Sequence, residues 1–207
     1  MAIHAVLTGD IVNSTKLTAV NEKKLLKNLK RILSPYKYEF YRGDSFQVYL
    51  KNADKALQTA LLCRTAAISI PAAEELAHGD IRVSIGIGRV NAPIKKLSAA
   101  KGEAFILSGR MFDEITKKGA RLAIVTGNPI ANTGLEVIAD YLNSIYSVMT
   151  DKQAAVIFEL LTGRTQKDVA GKLRKSKSTI SQHVMAGRLY EIEKLLRQFE
   201  SIITHLK

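Results

Sequence analysis

Strand-like and helix-like apolar patterns alternate along residues 1–149, and from Thr150 onward only the helical pattern continues. That switch constrains the fold more than any single motif, because periods of 2 and 3.6 require different backbones. Residues 3–7 form a short apolar run that leaves through Thr8-Gly9-Asp10, which reads as a buried strand and its exit. Asn13, Ser14 or Thr15 can cap a helix to about Leu33, with Leu25, Leu26, Leu29, Ile32 and Leu33 on one face and Pro35 as its stop. Residues 38–41 and 46–50 flank Arg42-Gly43-Asp44-Ser45 and read as a tight hairpin. An Ala-rich amphipathic helix over 54–70 ends at Pro71, and residues 81–87 alternate as a strand. A helix over 102–115, a short strand over 122–125 and a helix over 135–149 complete this part.

The order strand, helix, hairpin, helix, strand, helix, strand predicts a ferredoxin-like α/β (α+β) sandwich, a mainly antiparallel sheet with helices on one face. The expected organisation is a sheet domain over 1–130, a linker helix over 131–149 and an all-helical domain over 150–207. A chain of 207 residues can bury a core without stapling. Its one cysteine, Cys63, permits no intrachain disulfide and no zinc ribbon, and is expected as a buried small hydrophobe. No apolar run approaches the ~18 residues of a membrane span. The start is polar by Thr8 and has no basic region of a signal peptide. A cytoplasmic protein that does not engage a membrane is the expectation. Lys and Arg number 31 against 19 Asp and Glu, a net charge of +12. That excess leaves nucleic acid, an anionic small molecule or plain solubility open.

Two carboxylates hold special places. Asp10 ends the predicted first strand and Asp44 sits in the predicted turn. If that strand lies beside the hairpin, both carboxylates meet at one sheet edge and offer the hard oxygens that Mg²⁺ prefers. The segment after Asp10 would enter a helix N-terminus, which favours phosphate. Each residue also has a plain reading, Asp44 as a turn residue and Asp10 as a helix-start residue.

At these residues the sequence resembles the class III nucleotide cyclases. Leu7 to Thr15 is similar to their first metal motif, and Arg42-Gly43-Asp44 to the second. Residues 81–88, IRVSIGIG, resemble the family's Arg-x-Gly-Ile-x-x-Gly strand with Ser84 at the first Gly. Residues 102–111, GEAFILSGRM, resemble the helix that carries an Asn and an Arg four residues apart. The resemblance covers about residues 3–125 and implies Asp10 and Asp44 as Mg²⁺ ligands. It also implies a nucleotide contacted by Ser14, Thr15 and Arg110, and a homodimer. Two polar positions depart from it. Ile106 stands where the Asn would be, and Phe40 where a purine-selecting Lys would be. Losing oriented polar contacts to developing charge costs ~10²–10³ in rate each, so a degenerate cyclase is implied rather than an active one.

The tail opens on a capping box, Thr150 with Gln153, and Gly163 closes its first helix. Thr165, with Asp168 three residues on, opens a second helix buried through Val169, Ala170 and Leu173. Ser178 or Lys177 opens a third through Ile180 and Val184, and a last amphipathic helix follows Gly187. The Gln166-x-x-Val-Ala-x-x-Leu…Ser-x-Ser-Thr-Ile-Ser pattern resembles the tetra-helical and sigma-region-type helix-turn-helix families over residues 150–188. Arg174 stands where Gly is usual in the turn, and Lys175 where an apolar residue is common. The resemblance implies double-stranded DNA as partner. Lys177, Ser178, Thr179, Ser181 and Gln182 would face base edges, with His183 beside them. Arg164, Lys167, Lys172, Arg174 and Lys175 would meet phosphates. A helical hairpin with a solvated basic face is the plain alternative.

The four histidines show no ligand spacing, and Gly86 and Gly88 are expected to permit close backbone approach rather than to bind phosphate. The whole arrangement resembles the SatD family of small bacterial proteins. Three functions stay open: a DNA-binding transcriptional regulator whose cyclase-like domain senses a ligand or dimerises, a Mg²⁺-dependent nucleotide cyclase or nucleotide-binding enzyme using Asp10 and Asp44, or an adaptor without chemistry.

Overall fold

The central strand, β1 (His4–Val12), pairs along both of its edges. In the computed structural model, which describes residues 3–41, 43–71, 79–91 and 93–206, it is followed by α1 (Ala19–Leu33), β2 (Lys37–Tyr41), β3 (Ser45–Leu50), α2 (Ala56–Ile68) and β4 (Asp80–Gly88). Then come α3 (Glu103–Lys118), β5 (Leu122–Thr126) and α4 (Pro129–Ser147). The five strands form one sheet in the order β2-β3-β1-β4-β5. Every pairing is antiparallel except β4 with β5. The first four strands with α1 and α2 reproduce the predicted ferredoxin-like order. Arg42 and His78 lie outside the described residues.

Three expectations are corrected. β1 does not stop at Leu7. Its ladders to β3 and β4 continue through Asp10, so Thr8-Gly9-Asp10 stays strand. Gly9 is there for space: a Cβ would fall 2.7 Å from the Phe46 ring and 2.8 Å from the Arg82 carbonyl. No long helix starts at 13–15. Asn13 adopts a left-handed conformation at the head of a single turn over 14–16, and Thr18 caps α1 by accepting from the Asn21 N–H. Nor do the helices share one face. Ala5, Leu7 and Ile11 of β1 lie in the core with α1 and α2, whereas Val6 packs with Ala104 and Phe105 of α3 on the opposite face.

The rest of the chain is helical: α5 (Asp151–Leu161), α6 (Gln166–Leu173), α7 (Lys177–Ala186) and α8 (Leu189–His205). α5 packs on α2, and α8 on α4. A single apolar cluster runs from Leu7 and Leu57 through Leu142 to Val156, Ile180 and Phe199, so the sheet and the tail share a core. Among the described residues, no helix is long and apolar enough to cross a membrane.

Candidate functional site

The hairpin register brings the two predicted carboxylates to one end of the sheet. Asp10 pairs with Ser45 of β3 on one side and with Arg82 of β4 on the other. The Ile11 N–H donates to the Asp44 carbonyl at 3.0 Å, which holds the turn against β1. The Ser14 hydroxyl donates to Asp44 Oδ2 at 2.9 Å, and the Ser45 hydroxyl to Oδ1 at 3.3 Å. Asp10, Asp44 and Ser14 therefore meet. Burial pushes the Asp10 pKa up, the Arg82 guanidinium pulls it down, and the Asp44 charge raises it further.

Thr15 and Arg110 are not brought to this group. Thr15 is exposed on its short turn. Arg110 is exposed on α3, two residues past the buried Ser108, a rotation of about 200° that turns it from the sheet. Ile106 shares that outward face.

Sequence reasoning missed the role of Arg82. Its Nη1 donates to Asp10 Oδ2 at 3.3 Å and to Thr116 Oγ1 at 3.2 Å. Asp10 Oδ1 and Arg82 Nε stay buried without a partner. The signal was an Arg in an otherwise apolar alternation directly opposite Asp10. An orphaned carboxylate oxygen beside a second carboxylate has the hard-oxygen chemistry that could hold a divalent ion such as Mg²⁺, and Asp10 and Asp44 are the residues that would supply it. Among the described residues no group of three or more His, Cys, Asp and Glu could hold a metal, so solvent or a phosphate would have to complete the shell.

On the same face, Thr8, Tyr41, Ser45, Gln47, Phe105 and Phe112 line a cleft of about 380 Å³ between α3 and the hairpin. Its floor is held by a polar stitch. The Ser84 hydroxyl donates to the Ser108 carbonyl at 2.6 Å, and the Thr8 and Ser108 hydroxyls share a hydrogen bond of 3.0 Å.

In the tail, α7 packs on α5 and α6 around Val169, Ala170, Ile180 and Val184, all buried. Both expected capping boxes form, at Thr150 with Gln153 and at Thr165 with Asp168. The cap of α7 is Ser176, not Ser178 or Lys177, and its side chain accepts from the Thr179 N–H at 3.0 Å. Thr179 is thereby tied into the cap. Lys177, Ser178, Ser181 and Gln182 are exposed along α7, together with Met185. Lys167, Arg174 and Lys175 are exposed around α6 and the turn after it. Arg164 and Lys172 are also exposed, but both are tied to one carboxylate. Their nitrogens lie 2.9 and 2.7 Å from the carboxylate of Glu159, which is itself buried. Glu159, set in an apolar run of α5, is a second residue that sequence reasoning missed. His183 is half-buried, and burial together with Lys175 and Lys152 lowers its pKa.

No protein-family model matches the sequence, nor does any curated protein. The fold is similar to that of a bacterial light-regulated adenylyl cyclase, with a TM-score of 0.41 and 16% identity over 59% of this chain and 75% of that one. It is also similar to the active GGEEF domain of a diguanylate cyclase from Vibrio cholerae, at a TM-score of 0.40 and 15% identity over 61% and 83% of the two chains. The catalytic core of a rhodopsin-guanylyl cyclase in complex with ATPαS gives 0.37 and 16% over 54% and 72%.

Proposed function

We propose that this chain is a DNA-binding transcriptional regulator, with a helix-turn-helix formed by α6 and α7 and a cyclase-like sheet domain that serves as sensor or dimerisation unit. The observation that carries the reading is the open face of α7. Lys177, Ser178, Ser181 and Gln182 lie together within the first six residues of a helix whose opposite face, Ile180 and Val184, is buried. The N-terminal residues of such a helix face base edges in the major groove. Gln bonds adenine at two positions, and Ser bonds several bases. Lys167, Arg174 and Lys175 flank this face and supply phosphate contacts. Fluorescence anisotropy of the full chain with labelled duplex, from 50 to 200 mM KCl, tests it. Affinity is expected to fall steeply, with a log–log slope of about −0.9 per phosphate contact. Gln182→Ala should lower it further at every salt concentration. No binding at 50 mM KCl by the folded chain would overturn the reading.

A second reading, a Mg²⁺-nucleotide site, is favoured by the orphaned Asp10 Oδ1 beside Asp44. A metal held there would supply charge neutralisation to a phosphate, while Ser14 fixes Asp44 in place. Mg²⁺ at about 100 times its Kd would raise stability by about 2.7 kcal/mol. A melting temperature that Mg²⁺ and ATP leave unmoved excludes this second reading.

A further inference from the structure

α1 carries a stripe of charge that the functions above do not use. Lys23, Lys27, Lys30 and Arg31 are exposed, on the side opposite the buried Leu25, Leu29 and Leu33. Spacings of 4 and 3 put them in one row along the helix. Among the described residues none of the four forms an ion pair, and the one acidic residue of α1 is Glu22, in its first turn. Like charges at these spacings repel, so an outside anion that neutralises them is favoured.

The position of the stripe says which anion. The Arg31 guanidinium sits over the Phe158 ring of α5, 5.6 Å from its centroid. Arg31, Phe158, Arg164 and Lys172 line one cleft of about 410 Å³. Arg31, at the C-terminal end of the stripe, thus borders the same opening as the basic side chains of the α5–α6 region. Glu159 offsets part of the charge of Arg164 and Lys172, and among the described residues Arg31 has no ion-pair partner. In helix-turn-helix pairs the first helix crosses the phosphate backbone. A strand of phosphates that passes the N-terminus of α6 continues toward Arg31. From Lys23 to Arg31 is about 12 Å at 1.5 Å per residue, several phosphates' worth of a duplex that carries a charge every ~1.7 Å of its axis.

We infer that the duplex-binding surface extends beyond the tail onto α1, where Lys23, Lys27, Lys30 and Arg31 take phosphates flanking the site read by α7. This inference rests on the regulator reading given above. The experiment uses the full chain and a 30-base-pair duplex, with anisotropy measured from 50 to 200 mM KCl. The triple variant K23Q/K27Q/K30Q is expected to lose about 2 to 3 units of the salt slope and about tenfold or more in affinity at 100 mM. The variant K177Q is run in parallel. If wild type binds and K177Q weakens it while the triple variant keeps the wild-type slope, the inference alone is overturned. If wild type does not bind, the regulator reading falls and the inference with it. Acetylation footprinting of the wild-type chain needs no variant to fold. Duplex is expected to protect Lys23, Lys27 and Lys30. Protection by phosphatidylserine vesicles and not by duplex would overturn the inference.

Discussion

Asp10 is a carboxylate whose surroundings disagree about its charge. Burial and Asp44 favour the protonated form, and Arg82 favours the ionised one. Burial is the largest cause, and the net direction is upward from the ordinary 3.8. A raised pKa in the folded state means a stabilising contribution that is complete below 3.8 and is lost as pH rises through the folded value. Asp10→Asn removes that dependence. Denaturant titrations of wild type are expected to show this contribution growing as the pH is lowered toward 4, opposite in sign to that of Glu39 and Asp168, whose lowered pKa values cost stability over the same interval, so the variant's stability should fall more steeply on acidification. Identical pH profiles would remove Asp10 from the account. Arg174 is a simpler case. It ends α6 in a left-handed conformation with φ of 51°. That conformation costs a residue with a Cβ roughly 1–2 kcal/mol, and Gly almost nothing. Arg174→Gly should therefore raise stability by about 1 kcal/mol in urea titrations, and should lower the salt slope of duplex binding by about 1. The sequence shows this departure from the usual turn residue directly, because turn chemistry is local.

At the scale of elements, the approach of α3 to the sheet is set by Gly86. A Cβ there would fall 2.3 Å from the Ala104 carbonyl oxygen and 2.4 Å from the Ser108 nitrogen, both backbone atoms. Gly86→Ala must move the helix, and a cost of about 2–3 kcal/mol is expected. At Gly88 the nearest atoms belong to the Glu103 carboxylate, at 2.6 Å. That end of a side chain can swing away, so Gly88→Ala should cost clearly less, and equal losses in chemical denaturation would refute the distinction. The existence of nearly every strand and helix was legible from periodicity, and the boundaries were less so. α4 begins at Pro129, six residues before its apolar stripe, because Asn128 caps it and Pro129 fits the first helical position. That signal, Asn128-Pro129, is local and present in the sequence, whereas the apolar stripe marks only the part of the helix that is buried. The extension of β1 through Thr8-Gly9-Asp10 was not legible, since pairing with two neighbouring strands overrides local turn chemistry. The placement of α3 on the second face was hidden for the same reason: an amphipathic pattern shows that a helix is buried on one side, not against which face of a sheet.

At the scale of the molecule, the pair Asp10 and Asp44 could be foreseen, but the groups that tie distant elements together could not. Arg64 is the example. It sits in the Ala-rich α2, only 1% exposed. Its guanidinium grips both carboxylate oxygens of Asp80 at the start of β4, at 3.1 and 2.7 Å, and donates to Asn143 of α4 at 3.0 Å. It also covers the ring of Tyr146, 4.6 Å from the centroid. Asn143 in turn donates to the Leu122 carbonyl of β5 at 3.0 Å. One side chain thereby joins α2, the sheet and α4, which leads into the tail. Breaking a buried pair strands the remaining charge and costs about 3–5 kcal/mol, whereas replacing both partners by apolar groups can be close to neutral. Arg64→Met is therefore expected to destabilise by about 3 kcal/mol or more, and Arg64→Met with Asp80→Leu by clearly less. The shared apolar cluster adds a sharper expectation. If sheet and tail unfold as one body, helix loss followed by circular dichroism and the loss of duplex binding should shift together in Arg64→Met, to the same lower temperature. A tail that keeps binding duplex after the sheet has melted, followed by its infrared amide band, would show that the two parts are stable separately, and that the Arg64 network joins them without coupling their unfolding.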